Sequence, residues 1–253
     1  MKKDPFRPRE DDEEILGPKV PYLSAIGALM YFANCTRPDI SFSVNLLTRY
    51  SSVPTQRHWN GVKHVLRYLR GTTDMGLFYS KGSNSQLVGY ADAGFLYDPH
   101  KGRSQTGYLF TCESTAISWR FVKQTLVATF SNHSEIIAIH EASRECIWLR
   151  SLIQHIRKKC SLSTIKDSPT ILYEDNAACI TQIRGEYVKG DRTIHISLKF
   201  FYTHELQNSG KIDVKQIQSS DNLSNLFTKA LPTVTFKKLV NNIGMRLLKD
   251  LSS

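Results

Sequence analysis

The sequence predicts an α/β fold, in which a mixed sheet of five strands is flanked by helices and preceded by a small helical subdomain. The first observation is that apolar residues recur at helical spacing before residue 71. The second is a set of short β-type segments at 87–95, 106–112, 116–122, 170–175 and 211–217. The third is that helical patterns separate the last three of these segments. That order implies parallel strand pairs with helices packed against the sheet.

The helical subdomain contains three predicted helices. Residues 22–34 have a helical apolar pattern, which residues 37–39 end before a second helix begins. A third helix covers 56–70, and one side of it is basic. That side carries Arg57, His58, Lys63, His64, Arg67 and Arg70. We expect Lys63 and Arg67 to contact phosphates, although a solvated helix face explains the same pattern equally well.

We expect four segments along the chain. Residues 1–20 form a charged, proline-bearing lead, and residues 21–80 form the helical segment. Residues 85–231 form the sheet domain, and residues 232–253 form a C-terminal helix and tail. The stretch 81–85 is the preferred joint between the domains, because its Gly, Ser and Asn residues are typical of turns.

Composition narrows the class of protein. The 253 residues include 33 Lys and Arg against 23 Asp and Glu, a formal net charge of +10. This surplus favours a polyanionic partner such as nucleic acid, or an anionic membrane surface, although a merely basic surface gives the same balance. The five cysteines lack C-x-x-C spacing, so we expect neither a zinc site nor a disulfide framework, and a reducing compartment is favoured. No apolar run is long enough to cross a bilayer, and the N-terminus does not have the pattern of a signal peptide.

Four acidic residues stand where predicted strands end or predicted helices begin. Asp92 and Asp175 end strands, so both lie at the carboxyl edge of the sheet if those strands pair in parallel. Glu135 lies in the first turn of a long helix, and Asp221 opens the helix after the last strand. Each also has an ordinary structural explanation. Asp92 could cap a turn, Glu135 could close a capping box with Asn132, and the other two could be N-caps.

Together, four carboxylates at one edge of a sheet form the pattern of a metal site. Such groups repel one another and raise each other's pKa values unless cations offset their charge. Mg²⁺ suits the site because it is a hard ion that takes oxygen ligands and keeps water. Two ions about 3.5–4 Å apart would hold an attacking water and a leaving oxygen in line, which is the chemistry of phosphodiester hydrolysis.

A series of short motifs runs along nearly the whole chain. They are TRPDI (36–40), RYLRGT (67–72), YADAG (90–94), RSQTGY (103–108), ISW (117–119), WLR (148–150), YEDN (173–176), RTIHIS (192–197) and DNLSNLFTKALP (221–232). Together they resemble the C-terminal part of the Pol polyprotein of Ty1/copia-type retrotransposons, from about Tyr22 onward. The resemblance implies thumb-like helices from the end of a reverse transcriptase, followed by a ribonuclease H-like domain.

The resemblance also implies an Asp–Glu–Asp–Asp active site. Carried over motif by motif, the four acids are Asp92 in YADAG, Glu135 in HSEIIA, Asp175 in YEDN and Asp221 in SDNL. They would hold two Mg²⁺ ions, or Mn²⁺ in their place, for hydrolysis of the RNA strand of an RNA–DNA hybrid. Further phosphate contacts would come from Arg103, Arg192 and Lys199, for which surface solubility is an equally good explanation.

The chain departs from the family pattern at several positions. Relatives often have acidic residues where this chain has Gly94, His133 and Ser197, and we assign no metal binding to these three. The Tyr-x-Asp-Asp turn of the polymerase is missing, and residues 173–176 are no substitute because they lack the paired aspartates. We therefore do not expect the chain to polymerise DNA by itself.

The implied partners are an RNA–DNA hybrid and the remainder of the Pol polyprotein, with no membrane. The implied location is a retrotransposon particle in the cytoplasm, or the nucleus. Three alternatives stay open: a catalytically inactive remnant that binds nucleic acid, a DNA-acting nuclease such as an integrase core, and a scaffold within a larger polymerase. The absence of a His/Cys zinc segment and the Asp–Glu–Asp–Asp order argue against the integrase.

Overall fold

The computed structural model describes residues 9–80, 86–98, 102–162, 168–185 and 194–251. The chain divides into two compact units. The helical unit comprises Met1–Phe78 together with Met245–Ser253, and the sheet unit comprises Tyr79–Gly244. The predicted joint at 81–85 lies outside the described residues.

The described residues of the helical unit form three α-helices and one small strand pair. The helices are α1 (Tyr22–Cys35), α2 (Ser41–Thr48), which follows a 3₁₀ turn at Pro38–Ile40, and α3 (Gln56–Arg70). Their buried faces carry many of the apolar residues that the helical spacing predicted, including Ile26, Leu47 and Val62, but Leu23, Met30 and Leu66 are exposed. β1 (Met75–Leu77) pairs antiparallel with a strand at Met245–Leu247. The segment predicted at 232–253 therefore divides between the two units: residues 245–253 belong to the helical unit, and the residues before them belong to the sheet unit.

The predicted basic face of α3 is smaller in the structure than in the sequence pattern. Arg57 is buried and forms an ion pair with Glu13. His58 is also buried, and its Nδ1 accepts a hydrogen bond of 3.0 Å from the backbone N–H of Thr55. Both side chains therefore secure the start of the helix. Of the two expected phosphate contacts, Lys63 is half-buried and Arg67 is exposed.

The sheet unit contains one five-stranded sheet. Its strands are β2 (Leu87–Asp98), β3 (Arg103–Cys112), β4 (Thr115–Lys123), β5 (Thr170–Glu174) and β6 (Ile212–Gln216). They lie in the order β4-β3-β2-β5-β6. The pairs β2–β3 and β3–β4 are antiparallel, whereas β2–β5 and β5–β6 are parallel. The predicted mixed sheet of five strands is confirmed.

In the described part of the sheet unit, five helices accompany the sheet. They are α4 (Ser131–Lys159), α5 (Ala177–Arg184), α6 (Ile194–Asn208), α7 (Asn225–Thr228) and α8 (Thr233–Asn242), and the strand at Met245–Leu247 is β7. The core between α4 and the sheet includes Ile136, Ile139, Phe110 and Leu172. Among the described helices, none combines the length and the apolar character needed to cross a membrane.

The helix predicted at 221–231 is much shorter in the structure. A 3₁₀ turn covers Ser219–Asp221, and the following α7 has four residues. Asn222 separates the two because its backbone is extended and its side chain is occupied. Its Nδ2 donates to the carbonyl of Ala91 at 2.8 Å, and its Oδ1 accepts from the hydroxyl of Ser224 at 2.6 Å. These bonds fix the segment against β2 at the cost of helical continuity.

Candidate active site

Two of the predicted acids meet at the carboxyl edge of the sheet. β2 and β5 pair in parallel with Tyr90 opposite Tyr173, and the two rings lie 5.3 Å apart. Asp92 and Asp175 each follow one of these tyrosines by two residues. The parallel register therefore brings both carboxylates to the same level of the sheet.

A third carboxylate comes from the first turns of α4. Glu135 is buried, and the backbone N–H of Ala93 donates a hydrogen bond to its carboxylate. One carboxylate oxygen from each of Asp92, Glu135 and Asp175 lies within 4.8 Å of the other two. We call these three residues the acidic triad.

The ordinary explanations for the two aspartates do not hold. Asp92 lies inside β2, opposite Gly107 of β3, and not in a turn. Asp175 does not cap α5, because the N-cap is the next residue, Asn176, whose side chain accepts a hydrogen bond from a backbone N–H of the first turn. Both aspartates are therefore available to the triad.

The capping box proposed for Glu135 is also absent from α4. The helix begins at Ser131, so Glu135 lies beyond the position from which it could bond the N-cap. The side chain of Asn132 instead donates to Gln182 at 2.6 Å. Glu135 thus lies at the sheet edge without a capping role.

A lysine that the sequence analysis did not single out lies against the triad. The Nζ of Lys229 is 2.9 Å from Oδ1 of Asp92 and 3.7 Å from Oδ2 of Asp175. It also donates to Oδ1 of Asn225 at 2.8 Å. The hydroxyl of Thr228 donates to the other carboxylate oxygen of Asp92. The signal in the sequence is weak: Asn225 and Lys229 are four residues apart, a spacing that suits a contact along a helix, but Lys229 lies just beyond the end of α7 with an extended backbone.

A glycine allows α7 to approach the sheet this closely. A Cβ at Gly107 would lie 2.7 Å from Cγ2 of Thr228 and 2.9 Å from Cβ of Phe227. Both distances are too short for a side chain at this position. Because Gly107 is opposite Asp92 across the β2–β3 pair, the same close approach holds α7 against the triad.

Another buried carboxylate beside the triad also escaped the sequence analysis. Glu174 is fully buried, and its Oε1 accepts a hydrogen bond of 3.1 Å from the backbone N–H of Asn176. Its Oε2 has no hydrogen-bond partner among the described residues, and the same is true of Oε2 of Glu135. Burial raises the pKa of Glu174 well above its ordinary value, and the charges of Glu135 and Asp92 raise it further.

Burial and mutual repulsion also shift the pKa values within the triad. Burial raises the pKa of Glu135 well above its ordinary value, and the charges of Asp92 and Asp175 add to the shift. Burial raises the pKa of Asp92 as well, against the opposing effects of Lys229 and Thr228. Burial alone would lower the pKa of Lys229, but the neighbouring carboxylates outweigh it and raise that pKa overall. One ammonium therefore does not balance the charge of the acids.

The triad fits a hard divalent cation. Three carboxylate oxygens within 4.8 Å of one another are the donors that Mg²⁺ prefers. Oε2 of Glu135, which has no partner among the residues that the structure describes, is a buried acceptor, and such an acceptor is costly unless a proton or a cation satisfies it. The arrangement can therefore hold a divalent metal ion.

Sequence comparison identifies relatives of this chain. No protein-family model matches the chain. The retrovirus-related Pol polyprotein from transposon TNT 1-94 of Nicotiana tabacum is 35% identical over 227 residues, or 90% of this chain. The corresponding polyprotein from transposon RE2 of Arabidopsis thaliana is 34% identical over 233 residues, again 90% of the chain. The chain belongs to the family of copia-type retrotransposon Pol polyproteins.

This copia-type Pol chain spans only 16% of the length of each of these two relatives. Among solved structures, it is similar to the N-terminal RNase H domain of a Mycobacterium tuberculosis protein, which was solved as a fusion with maltose-binding protein. That alignment covers 62% of this chain and 98% of the other, with 12% identity and a TM-score of 0.40.

The predicted fourth acid of the Pol chain is not among the acids grouped within 4.8 Å. Asp221 lies in the 3₁₀ turn before α7, and 42% of its side chain is exposed. Its carboxylate forms an ion pair of 2.5 Å with Lys238. The residues of this segment that bond the triad directly are Thr228 and Lys229, and Asn225 is linked to it through its hydrogen bond to Lys229.

The expected nucleic-acid contacts of the sheet unit lie in different surroundings. Arg103 is exposed at the start of β3. Lys199 is engaged within the protein, because its Nζ lies 2.7 Å from a carboxylate oxygen of Glu141 on α4 and only 21% of its side chain is exposed. Arg192 lies outside the described residues. Arg103 is therefore the described member of this group with an exposed side chain.

Proposed function

We propose that this Pol chain is a ribonuclease H, which hydrolyses the RNA strand of an RNA–DNA hybrid with the help of divalent metal ions. The observation that carries the proposal is the acidic triad, whose three carboxylate oxygens lie within 4.8 Å of one another at the carboxyl edge of the sheet. Membership of a Pol polyprotein family supports it, since such polyproteins serve reverse transcription, which produces RNA–DNA hybrids.

Each acid has a separate task in the proposed site. Asp92 and Asp175 would be the central ligands, because the register of two rigid strands fixes their spacing. Glu135 would complete the site from α4. Bound Mg²⁺ would supply an activated water and stabilise charge on the leaving oxygen. We retain Asp221 as a proposed fourth ligand, which would first have to leave Lys238.

The substrate assignment rests on charge and surface. The net charge of +10 favours binding of a polyanion without regard to its sequence. Arg103, and Lys63 and Arg67 on the helical unit, would hold phosphates, and the shape of the hybrid and the 2′-hydroxyls of its RNA strand would provide recognition. We further propose that the chain acts beside the rest of the Pol polyprotein, in a retrotransposon particle.

The test is cleavage of a labelled RNA–DNA hybrid in Mg²⁺, in Mn²⁺ and in EDTA. We expect cleavage only with metal, yielding a 3′-hydroxyl and a 5′-phosphate. Asp92→Asn should reduce the rate by at least about 100-fold, because a metal ligand is lost. Asp213→Asn is the matched control, since Asp213 on β6 forms ion pairs only of the surface type with Arg184 and Lys215.

The other outcomes separate the alternatives. Metal-dependent cleavage of duplex DNA but not of hybrid would favour an integrase-type nuclease. Hybrid binding without cleavage by the unmodified chain would favour an inactive nucleic-acid-binding remnant. Asp221→Asn, assayed beside Asp92→Asn, decides the fourth ligand: a rate equal to that of the parent would remove Asp221 from the proposed site.

A further inference from the structure

We infer that Lys229 is a built-in counter-ion of the acidic triad, which divalent metal ions must displace in order to bind. The inference rests on the metal site of the proposed function. Its basis is position: the Nζ of Lys229 lies 2.9 Å from Asp92 and 3.7 Å from Asp175, the two central acids. An ammonium therefore occupies the space between the oxygens that a metal ion would bind.

The ammonium is held in this place by its surroundings. Asn225 accepts a hydrogen bond of 2.8 Å from the same Nζ. The neighbouring hydroxyl of Thr228 donates to Asp92, so α7 is attached to the acid at two successive residues. Gly107 allows the backbone of α7 to come this close to β3. The contact is thus part of the packing of α7, rather than the chance fold-back of a long surface side chain.

Lys229 and a divalent ion cannot share these oxygens without strong repulsion. Like charges a few ångströms apart repel, and the low exposure of Asp92 leaves little water to screen them. With metal bound, the ammonium would have to swing outward, which its 39% exposed side chain permits. Metal can bind only while the lysine is away from the acids. The apparent affinity for metal is therefore the affinity of the free site multiplied by the fraction of time that the site is free.

The experiment is a calorimetric titration with Mn²⁺ of the full chain and three variants. Lys229→Met should bind Mn²⁺ about tenfold more tightly than the parent, as expected if lysine fills the site most of the time. Lys229→Arg keeps a cation and should remain close to the parent. Lys215→Met is the matched control, because Lys215 contacts Asp213 at 3.3 Å on β6 and not the triad, and it should not change the affinity.

A second measurement uses the unmodified protein, so it does not depend on whether a variant folds. The rate of acetylation of Lys229 by a small reagent, followed by mass spectrometry, should rise several-fold when Mn²⁺ is added, whereas the rate at Lys215 should stay constant.

The outcomes distinguish the inference from the function on which it rests. If the parent and Lys229→Met bind Mn²⁺ with the same affinity, or if metal leaves the acetylation of Lys229 unchanged, Lys229 is no competitor, while the metal site stands. If neither protein binds Mn²⁺, the proposed metal site and this inference fail together.

Discussion

The two units of the chain each bury a group of charges, and the two groups are satisfied to very different degrees. In the helical unit, Arg37 forms a forked pair with Asp39, with contacts of 2.9 and 2.8 Å. The hydroxyl of Tyr68 donates to the same carboxylate at 2.7 Å, and Thr72 accepts two bonds from the guanidinium. In this group every carboxylate oxygen and both ends of the guanidinium have partners.

The acids of the sheet unit form the opposite case. Lys229 and Thr228 bond Asp92, but an oxygen of Glu135 and an oxygen of Glu174 have no partner among the described residues. A fully bonded buried pair is expected to stabilise the fold, whereas buried carboxylates without partners lower stability and are retained for binding or chemistry. The buried pair therefore explains the TRPDI and RYLRGT motifs by structure, whereas YADAG and YEDN supply acids of the proposed site.

Breaking the satisfied group should have the largest effect on stability. Arg37→Ala would leave the buried carboxylate of Asp39 without its main partner, and removal of one member of a buried pair costs about 3–5 kcal/mol. We expect this loss to appear in the free energy of opening of α2 and α3. Hydrogen exchange with mass spectrometry measures that free energy and reports on the two units separately.

The exposed Arg70 in the last turn of α3 is the matched control. Arg70→Ala should change the same free energy by less than about 0.5 kcal/mol. Equal losses in the two variants would mean that the buried pair contributes no more than an ordinary surface arginine.

Removing a charge from the buried acids of the sheet unit should raise the stability of the fold, the opposite of the effect in the helical unit. Glu174→Gln keeps the shape of the side chain and removes a buried charge, so the variant should be more stable than the parent. At pH 8 we expect a gain of about 1–3 kcal/mol, because a charged carboxylate is more costly to bury than the neutral amide that replaces it. The gain is measured by urea unfolding, monitored through the hydrogen-exchange protection of β5 and α5. Glu205→Gln, at an exposed position on α6, is the control.

The pH dependence sharpens this prediction. The pKa of Glu174 is raised in the folded protein above its ordinary value of 4.5, so the folded state holds the proton more tightly than the unfolded state. The stability of the parent therefore falls as pH rises from 4.5 toward the raised pKa, and Glu174→Gln lacks this contribution. The gain should vanish near pH 4 and grow above it. A gain of the same size at every pH would contradict an ionisation effect.

Much of the fold could be predicted because local patterns and tertiary packing agree. The helical spacing in α1 and α3 coincides with buried faces in the structure. The alternation predicted for β3 does not appear in its burial, because residues 104–111 are all buried. The pattern failed at 221–231, where the side chain of Asn222 bonds a strand that lies 131 residues away in sequence. A bond of this kind depends on the folded sheet, so no local pattern reveals it.

The site could be predicted only in part, for the same reason. The family motifs and the strand ends were enough to predict that Asp92, Glu135 and Asp175 lie close together. They did not reveal Lys229, because a lysine four residues after an asparagine is ordinary on any helix. They did not reveal Glu174 either, because whether a residue beside Asp175 is buried depends on the helix that covers its strand.

The smallest effect that we predict tests whether the satisfied group acts as a network or as a single pair. Tyr68→Phe removes only the hydroxyl that donates to Asp39, and leaves the ring 5.5 Å from the guanidinium of Arg37. We expect a loss of about 1.5 kcal/mol, because hydrogen bonds to charged groups are stronger than neutral ones. Tyr31→Phe, at an exposed position on α1, should cost almost nothing.

In the Arg37→Ala background the hydroxyl of Tyr68 becomes a main remaining partner of Asp39, so its loss should cost more than in the parent. Equal costs in both backgrounds would mean that the pair and the hydroxyl act independently.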